Sequence, residues 1–552
     1  MAFLKIKCLA RFMASSFAVL LCACGGSGGS DEQGQGFLDG RSSSSKAPIS
    51  QRPNPHPLAE KWKQNHFDSA TNFMALCENP RRGTNPVTGI PYADKAGTLT
   101  DEKFYIRSLV HETYLWYDEV IDRNPASYTT APDYFSVLKT NQLTPSGKPK
   151  DSYHFSTDTR TSELIHSGDS VESHGLHYIV DATDSWGINF RVKYVERQSP
   201  AEQAGIKRGD RVLSVDSLAL NSALSDADIE RIDAALFAPS ASRNVRLTLR
   251  RTDGGEYSVT IKGANVTPTV VDKLQVFVEG ENKVGYLLFN AFSAAAEKNL
   301  HDAFESLAAQ AADQLILDLR YNGGGYSAIS SQLGFMIAGA AQTTDKVFSR
   351  TNFNNKHPTH DPFTGEPLVD EPFYSTGLGL TLESATPLPA LNLSRVFVIT
   401  SPETCSASEL VINGLRGIGV EVIQIGSPTC GKPYGYYALD NCGTTYYFVQ
   451  MKTQNAVGFG DYIDGFSPNW VDDGKAQIKG CFELDDLNHE LGDRNEAGLS
   501  HALHYVQQGQ CKLNSLQRAA SSNPVVPSTA APSKVLRAIR HPAETVTIIN
   551  RP

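Results

Sequence analysis

The chain has 552 residues, a length that at roughly 150 per domain predicts about three or four domains. Fifty Lys and Arg against 60 Asp and Glu leave a net charge of −10, which gives no sign of the basic face that nucleic acid requires. With 40% hydrophobic and 20% charged residues a wholly disordered chain is excluded; so is a polytopic membrane protein, since the one strongly apolar run lies at the extreme N-terminus and is shorter than the roughly 20 residues that span a bilayer.

That run has the layout of an export signal. Lys5, Lys7 and Arg11 precede the apolar residues 12–23, which close on Leu21-Cys22-Ala23-Cys24. Residues 1–24 resemble a bacterial lipoprotein signal with a lipobox-like end. The resemblance implies lipidation at Cys24 and a place on the periplasmic side of a bacterial cell envelope, and Gly25 after the cysteine points to the outer membrane. The other reading is cleavage by ordinary signal peptidase, with Cys24 a bystander. Setting aside Cys8, Cys22 and Cys24 leaves six of nine cysteines, namely Cys77, Cys405, Cys430, Cys442, Cys481 and Cys511. An even number in an exported chain predicts disulfides, and six cysteines allow 15 pairings. Cys405–Cys430 and Cys430–Cys442 are both open. No C-x-x-C pair or metal-like spacing occurs, so no metal is expected.

Residues 25–60 are rich in Gly, Ser, Gln and Pro and predict a flexible tether. Residues 61–165 predict an N-terminal helical domain. Thr100 is placed to cap a helix whose apolar positions Ile106, Leu109, Val110, Tyr114 and Tyr117 recur at three and four residues; Pro132 and Asp133 open a second. Residues 166–268 turn to short strands, among them INFRVKYV, RVLSVD, VRLTLRR and EYSVTIKG. Between the first two lies Ser199-Pro-Ala-Glu-Gln-Ala-Gly-Ile-Lys-Arg-Gly-Asp210, which resembles the PDZ domains of bacterial proteases. The resemblance assigns Gly187, Ile188, Asn189 and Phe190 to the loop that holds a peptide's terminal carboxylate, with the adjacent sheet edge accepting the peptide as an added strand.

Residues 269–512 alternate strand and helix. Lys283–Phe289 is a strand and 293–311 an Ala-rich helix. Gln314–Arg320 is an apolar strand that ends at Tyr321-Asn-Gly-Gly-Gly325. A second unit follows, with strand Arg395–Thr400, a turn at 401–405, helix 406–416 and strand Val420–Ile425 leading to Gly426-Ser-Pro-Thr-Cys-Gly-Lys432. Such βαβ units make a parallel sheet with right-handed crossovers, and ligands collect at the carboxyl ends of its strands. The fold class is therefore α/β and multi-domain: a helical region, a PDZ-like β-rich domain and an α/β core. Residues 513–552 are Ser, Pro and Ala rich and predict a disordered tail, although VTIIN near its end has the character of a strand that adds to a sheet edge.

Ser406-Ala-Ser-Glu409 has the pattern of a capping box, which by itself explains a serine at a helix start. Two features add to that. A strand–turn–helix setting exposes a hydroxyl at the end of a sheet, and Gly431-Lys432 closes the next strand. Together Asp318-Leu-Arg-Tyr-Asn-Gly-Gly-Gly325, Ser406-Ala-Ser-Glu409 and Pro428-Thr-Cys-Gly-Lys432 resemble the signature blocks of the C-terminal processing, or tail-specific, serine peptidases. The resemblance covers roughly residues 170–510. It implies a Ser406 nucleophile, a Lys432 base, and an oxyanion hole from the backbone N–H groups of Ala407 and Gly325. It leaves Ser408 to helix packing or a cap. The family often has Gln four residues after the lysine, where this chain has Tyr436.

The function implied is an exported serine endopeptidase that cuts proteins or peptides near their C-termini through an acyl-enzyme, the PDZ-like domain binding or gating substrate. Its partners would be substrate C-termini and an activator or adaptor protein; the membrane is reached only through the lipid anchor, and no cofactor or nucleic acid is implied. The alternative is a non-catalytic, or partner-activated latent, peptide-binding envelope protein with the helical region as a lid. Other motifs are weaker. His111-Glu112 and His489-Glu490 lack the second histidine of a zinc-protease helix, and Asp485, Asp486, His489 and Asp493 read as caps and a solvated face.

Overall fold

The computed structural model describes residues 62–183, 187–220, 224–237 and 240–512, with Thr547–Ile548. Cys24, the tether and most of the tail lie outside the described residues.

The long N-terminal helix α1 (Leu99–Thr113) is capped by Thr98, two residues before Thr100, because Thr98-x-x-Asp101 makes the better box. The Thr98 hydroxyl accepts from Asp101 N at 3.3 Å, and the Asp101 carboxylate accepts from Thr98 N at 2.8 Å. Apart from α1 and two short helices (Ala131–Phe135 and Thr159–Ser167), this region is mainly loops and 3-10 turns. It does not sit apart from the rest of the chain. Ile106, Val110, Tyr134 and Phe135 share a core with Tyr446, Phe448 and Val449. Strand β1 (Phe155–Asp158) pairs antiparallel with Thr444–Tyr447, and a disulfide joins Cys77 to Cys442. A covalent link, a strand ladder and a common core oppose the hinge motion that a lid would need.

The PDZ-like unit contains β2 (Leu176–Thr183), β3 (Gly187–Val195), β4 (Arg211–Val215), helix α2 (Asp226–Leu236), β5 (Asn244–Arg250) and β6 (Glu256–Lys262). The sheet order is β6-β5-β4-β3-β2, with Thr547–Ile548 paired parallel to Ile179 and Val180 on the outer edge of β2. Phe190, Val192, Val212, Ile232 and Leu247 fill its core against α2. Gly187 to Phe190 begin the second strand of a hairpin, in register with Phe190-to-Gly187 opposite Val180-to-Thr183, and Phe190 is fully buried. The segment 176–183 is a strand in its own right, paired antiparallel to the strand that Gly187 begins. The outer edge of β2 is the one that Thr547–Ile548 covers at Ile179 and Val180.

The core domain has β7 (Val271–Glu279), β8 (Asn282–Phe289), α3 (Ala296–Ala309), β9 (Gln314–Asp318), α4 (Ser327–Ala338), β10 (Arg395–Thr400), α5 (Ala407–Gly417), β11 (Glu421–Gly426), β12 (Ser467–Asn469), β13 (Gln477–Phe482) and α6 (Ala497–Gln508). Its sheet runs β7-β8-β9-β10-β11-β13-β12, parallel from β8 onward. The central strands are apolar runs because helices cover both faces: α3, α4 and α5 on one and α6 on the other. Asp318 lies opposite Ile399 and Thr400 opposite Gly426, so β9, β10 and β11 end side by side. The loops that follow them meet at one end of the sheet.

Candidate active site

Ser406 is the residue that turns β10's loop into α5. Its backbone sits at φ 56°, ψ −115°, on the positive-φ side that a non-glycine residue avoids at a cost of about 1–3 kcal/mol. Neighbouring loops hold it there. Cys405 N donates to Asn322 O at 3.1 Å, and the buried Ser408 hydroxyl donates to the same oxygen at 2.9 Å. Ser408 is thus a strut between α5 and the glycine loop. The Glu409 half of the capping box is made, with Oε2 accepting from Ser406 N at 3.1 Å.

The glycine loop after β9 is shaped by Asn322, whose Oδ1 accepts from Gly324 N at 2.9 Å and whose Nδ2 donates to Phe289 O at 3.0 Å. Gly324 has φ +106°, and a Cβ there would lie 2.7 Å from Ser406 Cβ and 2.9 Å from Cys405 O. Gly325 has φ +136° and would drive a Cβ to 2.3 Å from Phe292 O. The Gly324 N–H is committed to Asn322. Among the described residues the N–H groups of Gly325 and Ala407 donate to no protein acceptor, as the first turn of a helix dictates for Ala407. These are the two donors expected of an oxyanion hole. A Gly324→Ala variant is expected to push the nucleophile out of line and lower kcat by about 10²-fold or more, with KM little changed in steady-state assays.

Lys432 ends the loop after β11 and is 6% exposed. Its Nζ stands 3.8 Å from the centre of the Tyr436 ring and 5.1 Å from that of Tyr153, whose hydroxyl donates to Gly431 O at 3.1 Å. The loop is fastened to the Ser406 segment twice. A disulfide joins Cys405 to Cys430, the former adjacent to Ser406 and the latter two residues before Lys432; Cys481–Cys511 is the third bridge. The second fastening is the fully buried Glu409. Its Oε1 accepts from Thr429 Oγ1 at 2.6 Å and Gly431 N at 2.9 Å, while Oε2 accepts from Lys432 N at 2.8 Å and Ser406 N at 3.1 Å. One carboxylate oxygen therefore holds the backbone nitrogens of Ser406 and Lys432 within about 6 Å of each other. Burial pushes the Glu409 carboxyl up to about 7 despite those hydrogen bonds.

Behind the site lies a buried charge network that the sequence did not show. Arg320 pairs with Asp318 at 2.8 Å, Glu496 at 2.7 Å and Asp485 at 3.0 Å. Arg208 of the PDZ-like unit reaches Asp485 at 2.7 Å and Tyr321 Oη at 2.5 Å, and Lys193 of β3 pairs with Glu403 of the nucleophile loop. Asp485 is thus part of a domain junction, not of a solvated face. Asp486 and His489 do form an exposed pair, at 2.6 Å.

Residues 283–437 match peptidase family S41, and residues 191–251 match the PDZ domain. The carboxyl-terminal-processing protease of Picosynechococcus is 28% identical over 237 residues, 42% of this chain and 48% of that protein. The carboxy-terminal processing protease CtpA of Bacillus subtilis is 31% identical over 128 residues, 23% of this chain and 25% of that one. This chain thus spans about half the length, or less, of the curated relatives it matches. An S41 protease structure from Bacteroides fragilis has the same fold, with a TM-score of 0.55 at 21% identity over 73% of this chain and 97% of that chain. The chain accordingly holds a PDZ domain and an S41 peptidase domain, and its homologues include carboxyl-terminal-processing proteases.

Proposed function

We propose that the chain is an exported serine endopeptidase that cuts polypeptides near their C-termini. The observation that carries this is the Glu409 oxygen shared by the amides of Ser406 and Lys432, beside two N–H groups with no protein acceptor. In this reading Ser406 Oγ attacks the scissile carbonyl while Lys432 Nζ takes its proton. The oxyanion of the tetrahedral intermediate is received by Ala407 N–H and Gly325 N–H, each worth on the order of 3 kcal/mol of barrier. Lys432 then protonates the leaving amine, and in the second half deprotonates the water that hydrolyses the acyl-enzyme.

The substrate's C-terminal segment would add to the edge of β2 beside α2, the mode by which sheet edges take peptides. The pairing of Thr547–Ile548 with Ile179 and Val180 supports the competence of that edge. Three disulfides support an oxidising compartment, in keeping with export and with Cys24 as an acylated anchor facing the periplasm. The test is incubation of protein beginning at residue 25 with an unfolded protein bearing an apolar C-terminus, products being read by mass spectrometry. Cleavage that Ser406→Ala and Lys432→Ala both abolish is the expected result. Peptide binding without cleavage by the parent protein would show a binding module or an enzyme awaiting its activator.

A further inference from the structure

Lys432 carries a buried amine with an unusual set of neighbours. Among the described residues no carboxylate pairs with its Nζ; the groups that face it are the rings of Tyr436 and Tyr153, at 3.8 and 5.1 Å. Tyr436 comes from the lysine's own segment. Tyr153 comes from the N-terminal unit, two residues before β1, and is fixed by its hydrogen bond to Gly431 O at 3.1 Å. The Tyr436 ring is itself braced edge-on by Tyr447 at 5.2 Å and by Phe155 at 6.5 Å, and Phe155 stacks on Tyr447 at 4.6 Å across the β1 ladder. The N-terminal unit therefore supplies part of the wall around the amine.

Ring faces suit this position physically. An aromatic face packs against an amine nitrogen without presenting a lone pair that would draw an N–H bond firmly to itself. A carboxylate in the same place would bind the amine in a directed ion pair and turn it away from the serine. Two ring faces instead fix where the nitrogen lies without tying up its hydrogen-bonding directions.

We propose that Tyr436 and Tyr153 form an aromatic clamp that positions the amine of Lys432 as general base, so that the N-terminal unit completes the catalytic site. The proposal rests on the peptidase reading above. Tyr436 and Tyr153 act through Lys432 and are positioning residues.

The test has two arms on protein beginning at residue 25. In the first, the protein carries 13Cε-labelled lysine and the Lys432 signal is assigned by its loss in Lys432→Arg. A ring 3.8 Å from Nζ shifts the neighbouring Hε resonances upfield; Tyr436→Phe keeps that shift and Tyr436→Leu removes most of it. The second arm is steady-state cleavage. Tyr436→Phe is expected to keep kcat within about twofold, while Tyr436→Leu lowers it about tenfold at unchanged KM and unchanged melting temperature. Tyr153→Leu is expected to lower kcat similarly. An unshifted Lys432 resonance in the parent protein overturns the clamp whether or not the protein cleaves anything. A shifted resonance with full kcat in Tyr436→Leu overturns the positioning role. A shifted resonance with no cleavage by the parent overturns a constitutively active peptidase and the positioning role in it, but leaves the clamp's geometry standing.

Discussion

Arg320→Met is expected to destabilise the protein by about 3–5 kcal/mol, the range seen when one partner of a buried ion pair is removed. Arg320 is 2% exposed, and its guanidinium bridges Asp318, Glu496 and Asp485, with two of its nitrogens on the two Glu496 oxygens at 2.7 and 2.9 Å. Methionine fills a similar volume but leaves those carboxylates buried with Arg208 as the remaining cation at the junction. The pH dependence follows from the signs. Burial pushes Asp485 up, but Arg208 and Arg320 together hold it well below the usual carboxylate range; burial likewise opposes Arg320 at Glu496, and Arg320 prevails. Carboxyls depressed in the folded state contribute stability that is present above their unfolded value near 4 and is lost as pH falls through the folded one. In the variant Arg320 no longer depresses them. The gap in stability between parent and variant should therefore be full at pH 7 and narrow as the pH falls below about 4. Urea unfolding at pH 7 and pH 3.5 measures both; an equal gap at the two pH values would refute the argument.

That network shows what the sequence could and could not reveal. The peptidase core was legible because buried parallel strands are continuous apolar runs such as Leu315–Leu317 and Val396–Ile399, and because glycines and a lysine stand where those strands end. Ser406 and Lys432 were singled out from that pattern and the family resemblance, and Gly325 and Ala407 from the resemblance alone. Asp485 looked like a surface acid, since its partners Arg208 and Arg320 lie 277 and 165 residues away. Tyr153 was invisible for the same reason, being 278 residues from the carbonyl it binds. The strand that precedes Gly187 was hard to read for a different reason. Gly187-Ile-Asn-Phe has the composition of a carboxylate-holding loop, and Leu176–Thr183 carries His177 and Asp181 amid its apolar residues and so signals a strand weakly. Of the two pairings left open for Cys430, the fold selects Cys405, because β10 and β11 are neighbours whose ends coincide, and Cys442 is taken by Cys77.

Glu409 is the residue whose function the capping box most effectively concealed, because a Glu three residues into a helix already has a sufficient local explanation. Glu409→Ala is expected to lower kcat by about 10²-fold, the usual consequence of displacing reacting groups by about 1 Å. It deletes the acceptor for Thr429, Gly431, Lys432 and Ser406 together and leaves three buried N–H groups unsatisfied. The Cys405–Cys430 disulfide still spans the two loops, so the variant should remain folded with the dyad slackened. KM should change little, since substrate pairs with a sheet edge elsewhere. Glu409→Gln separates shape from charge. A carboxamide has one acceptor oxygen, and its NH₂ would face two of the donors that the carboxylate now accepts from, so rescue should be partial. The stability profile supplies an independent check. Burial raises the Glu409 carboxyl to about 7, so the folded chain binds a proton there that the unfolded chain releases near 4.5. Its contribution is fully present below pH 4.5 and is lost as the pH rises through 7. Glu409→Gln cannot titrate, and its stability should fall less than the parent's between pH 5 and 8. If the parent and Glu409→Gln lose stability in parallel over that interval, the carboxyl does not titrate there and the charge argument fails, whatever the kinetics show.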